Sequence, residues 1–534
     1  MESPASPVRL RYGPTDNSLH RSTRLLWPAL EIVLLSALIL GTRCANFGDV
    51  FVEGKIYFVD ADCYARMTRA RLVAQYPGLV VRHHDFENYP DGVDPHTSAP
   101  LDYLIVGLAA LLRPFTGQPL DLAGAIVSPL LALIGGWFLW WWSRRMRFRY
   151  GWGALLLFAL SPILAQGTAL GRPDHQSLLI VLTLVALAAE WSLAGEASRA
   201  WTIVSGLSWG LALWVSFYEP LFLLGALLAA QIHTVEGEPF ARDRRLGWYL
   251  CGAVLLLAAL VERRLPPLPD PALRTFLIHW SATLGEMQRV GLTNPVWLEW
   301  FGGFILLAPV LLALAVKQRL VSMPFAVLLG FTFLFTLWQA RWGYFFAVLL
   351  ALTVPALFAV VRRQWLGGLV IAIAILPCLQ YWDGELWPNE QVAEIRAAAR
   401  RETVEWRAAA TALPHDRPAP FLAPWWLSPA AAYWSGQPGV AGSSHESLAG
   451  IVATAHFFVA TQRGEAVAIL RRRGVRWILS YDADRVAENS AAILGVRVPP
   501  DSSCFLLDRN PSRVSAWLVL RGQNSTAKVY EVRD

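Results

Sequence analysis

The amino-acid sequence predicts a polytopic α-helical membrane protein of about eleven to thirteen spans, with a small α/β domain at its C-terminal end. Three observations predict it. The chain of 534 residues is 55% hydrophobic and 16% charged, with a mean hydropathy of +0.39. Its basic residues collect in short loops between apolar runs. Beyond residue 383, the apolar runs give way to alternating strand-like and helix-like segments.

A soluble chain of this length has no core large enough to hide so much apolar surface. Runs at 27–40, 120–142, 176–189 and 345–361 approach or exceed the ~20 residues that cross about 30 Å of hydrocarbon. The 25 Trp residues agree, because indole settles at membrane interfaces. The net charge of +6 marks topology rather than nucleic-acid binding, since the Arg residues lie between spans. Cys44, Cys63, Cys251, Cys378 and Cys504 are scattered with no CxxC pair, which predicts neither a disulfide framework nor a thiolate metal site. The first apolar run follows a polar, Arg-containing stretch and lacks a small-residue cleavage site. It is read as a retained span rather than a signal peptide.

Orientation follows from the basic loops. Arg21 with Arg24, "RRMRFR" 144–149, "ARDRR" 241–245, "KQR" 317–319 and "RR" 362–363 are all placed in the cytoplasm. Spans then alternate consistently at 25–42, 120–142, 151–168, 176–194, 200–216, 218–233, 246–261, 298–316, 323–338, 342–361 and 365–382. The weak boundary between the fifth and sixth leaves room for a further pair. Residues 99–113 are apolar, but counting them as a span breaks the alternation, so they are read as a helix at the outer interface. This gives a transmembrane domain over 1–383, with a cytoplasmic N-terminus and outer loops 43–97, 169–175 and 262–297. An extracytoplasmic α/β domain follows over 384–534. In it, "APFLAPWW" and "VRWILSYD" read as strands, and "ESLAGIVATAHFFVATQ" and "GEAVAILRRR" as helices.

Asp62, Asp174 and Glu286 fall in the three outer loops, on one face, although the parity count made no use of them. Carboxylates converging from separate loops suit Mg²⁺ or Mn²⁺, which prefer oxygen ligands. Such an ion neutralises charge on a departing phosphate or pyrophosphate. Arg341, at the outer end of its span in "WQARWGYFF", is a guanidinium suited to phosphate oxygens.

The motifs, taken in order, resemble the catalytic subunit of oligosaccharyltransferases, within the glycosyltransferase C superfamily of membrane enzymes that use polyprenyl-linked donors. "DADCYARMTRARL" in a long first outer loop and "PHTSAPLDYL" closing it match that pattern. So do "PDHQ" in the position of the second acidic motif, "TLGE" 283–286, "ARWGYF", and "APWWLSPAAAYWSGQPGVAGSSHES" 423–447. The resemblance covers nearly the whole chain. It implies that Asp62 binds a divalent metal and polarises the acceptor, and that Asp174 and Glu286 are further ligands, with His175 beside them. It also implies that Arg341, with Arg172, holds the donor phosphates, and that Trp425 and Trp426 sit beside the acceptor. The donor in that family is a glycan on a polyprenyl pyrophosphate and the acceptor an Asn in an Asn-x-Ser/Thr sequon.

Two positions depart from the pattern. Gln176 replaces the second carboxylate of "PDHQ". Leu427 stands where the family's Asp accepts a hydrogen bond from the sequon hydroxyl, a contact of the kind that creates strong discrimination. The implied function is transfer of a glycan from a polyprenyl-(pyro)phosphate donor to a protein side chain or another glycan, at the outer face of a prokaryotic plasma membrane.

Plainer readings stand beside these. Asp60 reads as structural, and Asp174 also suits a helix N-cap. Arg341 also suits a snorkelling position, and Trp425 and Trp426 also suit a core. His83, His84 and Asp85 read as a solvated loop or substrate-facing patch rather than a ligand set. "QNSTAK" holds the chance-prone acceptor triplet Asn524-Ser525-Thr526. Rival functions are a transferase using a polyprenyl monophosphate sugar to modify a lipid or polysaccharide, a lipid-linked glycan transporter, and an inactive scaffold relative.

Overall fold

The computed structural model describes residues 23–234, 238–264, 269–514 and 517–533. Arg21 of the first basic group lies outside them, as do residues 265–268 of the third outer loop. Each of the eleven expected spans falls on helix. Among the described residues, five helical stretches, Pro119–Arg145, His175–Gly195, Arg242–Glu262, Ala340–Ala359 and Gln364–Leu386, are long and apolar enough to cross a membrane by themselves.

The bundle is built around the helix Gly343–Ala359, whose residues 343–358 are all buried. Apolar on every side, it has no polar face to turn to water. The helices Gly151–Leu160, Met323–Trp338, His175–Gly195 and Phe304–Lys317 enclose it. The helix Arg199–Val215 packs between His175–Gly195 and Arg245–Glu262, and Gly206 and Gly247 allow that second pair to approach closely.

Three expected spans are broken helices, and each break has a chemical cause. Pro162 has no N–H, so the third span divides into Gly151–Leu160 and Pro162–Gly167. The carbonyls left without helical donors are satisfied from other helices. Arg43 donates to Phe158 O at 2.7 Å and to Ala159 O, and Trp382 Nε1 donates to Leu160 O at 2.7 Å. Inside a bilayer no water does this work, so a break persists only where protein supplies the donors. The eighth span breaks at Gly302, whose φ of +61° suits glycine. The eleventh breaks at Ile375, ahead of Pro377. These two breaks meet, with Gly303 N donating to Ala374 O at 2.6 Å.

The apolar segment at 99–113 forms the helix Ala99–Leu112, packed on Pro119–Arg145 and on Ala61–Gln75. Its 14 residues measure about 21 Å, short of a hydrocarbon core.

Toward the C-terminus, the helix Glu390–Thr411 leads to a four-stranded sheet. Strands β1 (Phe51–Val52) and β2 (Lys55–Ile56) form a separate hairpin in the first loop. The sheet contains β3 (Phe421–Leu422), β4 (Trp477–Ser480), β5 (Leu518–Gln523) and β6 (Lys528–Val532) in the order β3-β4-β6-β5. β3 runs parallel to β4, and the other pairs are antiparallel, with Ile478 opposite Tyr530. The strand expected over "APFLAPWW" shortens to two residues because Pro420 and Pro424 lack N–H donors for a ladder. The helices Leu448–Val459 and Arg463–Arg472 lie where the amphipathic patterns put them. Trp406, Phe421, Phe457, Ile478 and Tyr530 share the core of this region.

Candidate functional site

The chain brings Asp62, Asp174, Glu286 and Arg341 into one electrostatic neighbourhood. Asp62 comes from the helix Ala61–Gln75, which Asp60 starts by accepting a hydrogen bond from Cys63 N at 3.0 Å. Asp60 therefore acts as an N-cap. Further along, Arg66 donates to Asp102 at 2.8 Å and Arg69 lies 3.7 Å from the same carboxylate. This buried triad ties the Asp62 helix to the helix Ala99–Leu112.

Asp174 comes from a tightly held turn. Gly171 has φ +73°, and a side chain there would strike Val50 and the Tyr57 carbonyl. Its N–H donates to Ala125 O at 2.8 Å, and its own carbonyl accepts from Val59 N at 3.0 Å. Asp174 occupies the N-cap position of His175–Gly195 but makes no side-chain cap bond. Its carboxylate instead faces His175 Nδ1 at 2.6 Å. Burial opposes ionisation, but His175, Arg172 and Arg66 hold the Asp174 carboxyl well below the usual carboxylate range.

Asp62 stands under the opposite pressure. Solvent reaches its side chain, but protein surrounds it. That desolvation, and then the charges of Asp60, Asp174 and Glu286, push its carboxyl well above the usual range, with a hydrogen bond from Ser443 as partial relief. The three carboxylates from the three loops thus share one electrostatic neighbourhood. Arg172 Nη2 lies 3.6 Å from Asp60, with its guanidinium nearly buried.

Glu286 sits in a short 3₁₀ turn, Gly285–Met287, 3.6 Å from Arg341 Nη1. Arg341 Nη2 meets Glu219 at 2.5 Å, and Ser216 donates to the same carboxylate at 2.7 Å. Glu219 and Tyr344 complete this wall, and neither is among the residues expected from the sequence. Glu219 hides in the first turn of an apolar helix, Tyr218–Thr234. The available signal was an acidic residue at the same end of a span as the acidic loops. Tyr344 is within electrostatic reach of Arg172, Glu286, Asp174 and Arg341.

The donor set fits a hard divalent cation. It is rich in oxygen and crowded with like charge, and the side-chain carbonyl oxygen of Gln176 nearby in the first turn of His175–Gly195 is buried without a hydrogen-bond partner. The adjacent histidines diverge. His83 is half exposed, bonded to Asp94 at 2.8 Å and to Asp85 at 3.1 Å, whereas His84 is buried and stacked on Phe86.

Trp425 donates to Asn489 Oδ1 at 2.9 Å and packs against Trp280, beside Leu284 of the Glu286 loop. Trp426 lies edge-on to Trp425 and packs on the C-terminal core, as does the Leu427 side chain. Asn524 is engaged in a turn: its amide donates to Glu405 O at 2.8 Å and accepts from Ala527 N at 2.8 Å.

No protein-family model matches the chain, and no curated protein matches it. Solved structures do. The Archaeoglobus fulgidus oligosaccharyltransferase, tethered to an acceptor peptide containing the NVT sequon, superposes with a TM-score of 0.64 at 14% identity, over 85% of this chain and 69% of that one. The Archaeoglobus fulgidus oligosaccharyltransferase AglB, in complex with an inhibitory peptide and a dolichol-phosphate, gives 0.62 at 14% identity, over 89% and 71%. ArnT from Cupriavidus metallidurans, in the apo state, gives 0.55 at 15% identity and matches 95% of this chain to 97% of its own. The chain has the fold of these proteins.

Proposed function

We propose that the chain is a membrane glycosyltransferase that moves a sugar or glycan from a polyprenyl-linked phosphate or pyrophosphate donor to an acceptor at the outer face of a prokaryotic plasma membrane. One observation carries this reading. Asp62, Asp174 and Glu286 arrive from three separate loops in one electrostatic neighbourhood, walled by the guanidinium groups of Arg341 and Arg172. The shared fold supports it, and the dolichol-phosphate of one structural neighbour supports a lipid-phosphate donor.

In this reading Arg341 and Arg172 bind the donor phosphates. Both are nearly buried, so their pairing with phosphate oxygens is little screened. Glu219 sets the position of Arg341 from behind. Asp62 accepts a hydrogen bond from the acceptor group and orients its lone pair toward the anomeric carbon. A bond forms from the acceptor atom to that carbon as the carbon–oxygen bond to phosphate breaks. The electron pair leaves with the phosphate, and the acceptor's proton passes to the Asp62 carboxylate that held it. Asp62, Asp174 and Glu286, with His175 at the edge, would hold Mg²⁺ or Mn²⁺, which when bound supplies charge neutralisation on the leaving phosphate.

Leu427 offers no hydrogen-bond acceptor to a sequon hydroxyl, and this favours a second reading: a polyprenyl monophosphate sugar as donor and a lipid or polysaccharide hydroxyl as acceptor. Purified chain assayed with each donor type decides between them. Transfer only from pyrophosphate-linked oligosaccharide supports the first reading, and transfer only from monophosphate sugar the second. Full transfer activity in Asp62→Ala overturns both.

A further inference from the structure

We propose that the basic loops at 144–149 and 361–364 together form a binding site for the headgroup of an anionic phospholipid. The helix Pro119–Arg145 ends in a turn in which Arg147 takes φ +54° and its N–H donates to Arg144 O at 3.0 Å. Arg149 then reaches across to the loop before the helix Gln364–Ala374, 213 residues further on. Its Nη1 lies 3.5 Å from the Arg362 carbonyl oxygen, and its Nη2 donates to Gln364 Oε1 at 3.2 Å. Beside this contact Tyr150 packs against Gly367, where a side chain would strike the phenol. The two joined loops thus carry Arg147, Arg149, Arg362 and Arg363, all exposed.

The partners of these groups single the patch out. Arg144, just before it, is paired with Glu31 at 2.8 Å. Among the described residues, the side chains of Arg147, Arg362 and Arg363 have no hydrogen bond or ion pair, and Arg149 bonds only to neutral oxygens. Like charges drawn together without a counter-charge repel, and an anion seated among them reverses the balance. Membrane topology asks only for basic residues on one side of the bilayer. It does not ask that two loops so distant in sequence be stitched together.

The aromatic surroundings choose a lipid over a free anion. Trp152 is 41% exposed and Trp365 64%, each within the first turn of its helix. The Trp152 ring lies 3.8 Å from where a Cβ on Gly368 would stand, so the two helix starts meet at the patch. Exposed indoles settle at headgroup depth, which puts the neighbouring guanidinium groups level with lipid phosphates. Their forked donors match phosphate oxygens, and basic pockets between membrane helices hold anionic headgroups. The patch is remote from the carboxylate set. The Asp174 turn bonds to Ala125, near the other end of Pro119–Arg145, and the 20 residues from there to Arg145 span about 30 Å of helix. The proposal stands whether or not the chain transfers sugars.

The test counts lipid on the full-length chain. Chain in detergent is mixed with equal amounts of phosphatidylglycerol and phosphatidylcholine bearing the same acyl chains, and bound lipid is read by native mass spectrometry. Wild type is expected to retain phosphatidylglycerol on the order of tenfold over phosphatidylcholine. Arg147→Gln/Arg362→Gln/Arg363→Gln is expected to bring the two lipids to parity. Arg242→Gln/Lys317→Gln/Arg319→Gln removes the same charge from other exposed basic loops and is expected to keep the preference. Equal loss in both variants shows attraction to net charge alone and overturns the site, as does parity in wild type. Loss of loop charge can also disturb insertion, so wild type supplies a second reading. Its melting temperature is expected to rise with phosphatidylglycerol in the micelle and not with inorganic phosphate. An equal rise with phosphate alone overturns the lipid assignment.

Discussion

Arg341 Nη2 and Glu219 meet at 2.5 Å, and only the arginine of this pair lies in a motif visible in the sequence. The pair joins the start of one apolar helix to the start of another, and it leaves Nη1 of the same guanidinium 3.6 Å from Glu286. A charge placed this way is oriented before any phosphate arrives, which is how fixed electrostatics assist a developing anion.

Removing one partner strands the other in a dry environment. Glu219→Ala is expected to destabilise the chain by about 3–5 kcal/mol. The double variant Glu219→Ala/Arg341→Ala is expected to recover about 1–3 kcal/mol relative to the sum of the singles. Melting of the detergent-solubilised variants measures this, and strict additivity would show that the two residues do not act as a pair.

Glu286 and Arg172 are expected to fail differently. Glu286→Gln should lower kcat on the order of 100-fold while donor KM changes little, because the cation that Glu286 would help hold neutralises the leaving phosphate. Arg172→Ala should instead raise donor KM. Steady-state kinetics over a range of donor concentrations separates the two, and identical profiles would refute the division of labour.

Glu87 gives a pH signature. It is buried, accepts from Ser443 N at 3.2 Å, and burial raises its carboxyl from an ordinary 4.5 to about 7. The folded chain therefore binds more protons than the unfolded one across this window, and stability falls as pH rises from 4.5 to about 7. Glu87→Gln removes the penalty. It should stabilise by on the order of 3 kcal/mol at pH 8 and leave stability unchanged near pH 4. Paired melting curves at the two pH values test it, and an equal shift at both would contradict it.

Gly302 carries the break in the eighth span. Its φ is +61°, and a Cβ would collide with the Ala374 carbonyl of the opposing break. Gly302→Ala should cost about 1–3 kcal/mol and loosen the pairing of the two broken helices. Thermal melting measures the cost, and Gly330→Ala, where a Cβ meets nothing within 4 Å, is the matched control.

The helical framework was legible because hydropathy and basic loops report on the solvent, and the solvent for each span is a bilayer. The breaks were less so. Pro162 and the Gly302–Gly303 pair are visible punctuation, but their tolerance depends on Arg43, Trp382 and Ala374, which sequence spacing does not bring near. Asp62, Asp174 and Glu286 could be placed on one face because parity fixes the end of the bundle. Glu219 escaped that logic by counting as part of a span.

Arg43 bears on how the protein is made. It ends the first helix, yet the carbonyls it serves, Phe158 and Ala159, lie 115 and 116 residues further on. During synthesis the first segment therefore reaches the lipid with a guanidinium whose acceptors have not yet left the ribosome. It must hold that charge at the headgroup level and settle inward only when the third segment arrives with its proline break. By this contact, the helix Thr23–Arg43 is locked only after a segment 115 residues further along has been made.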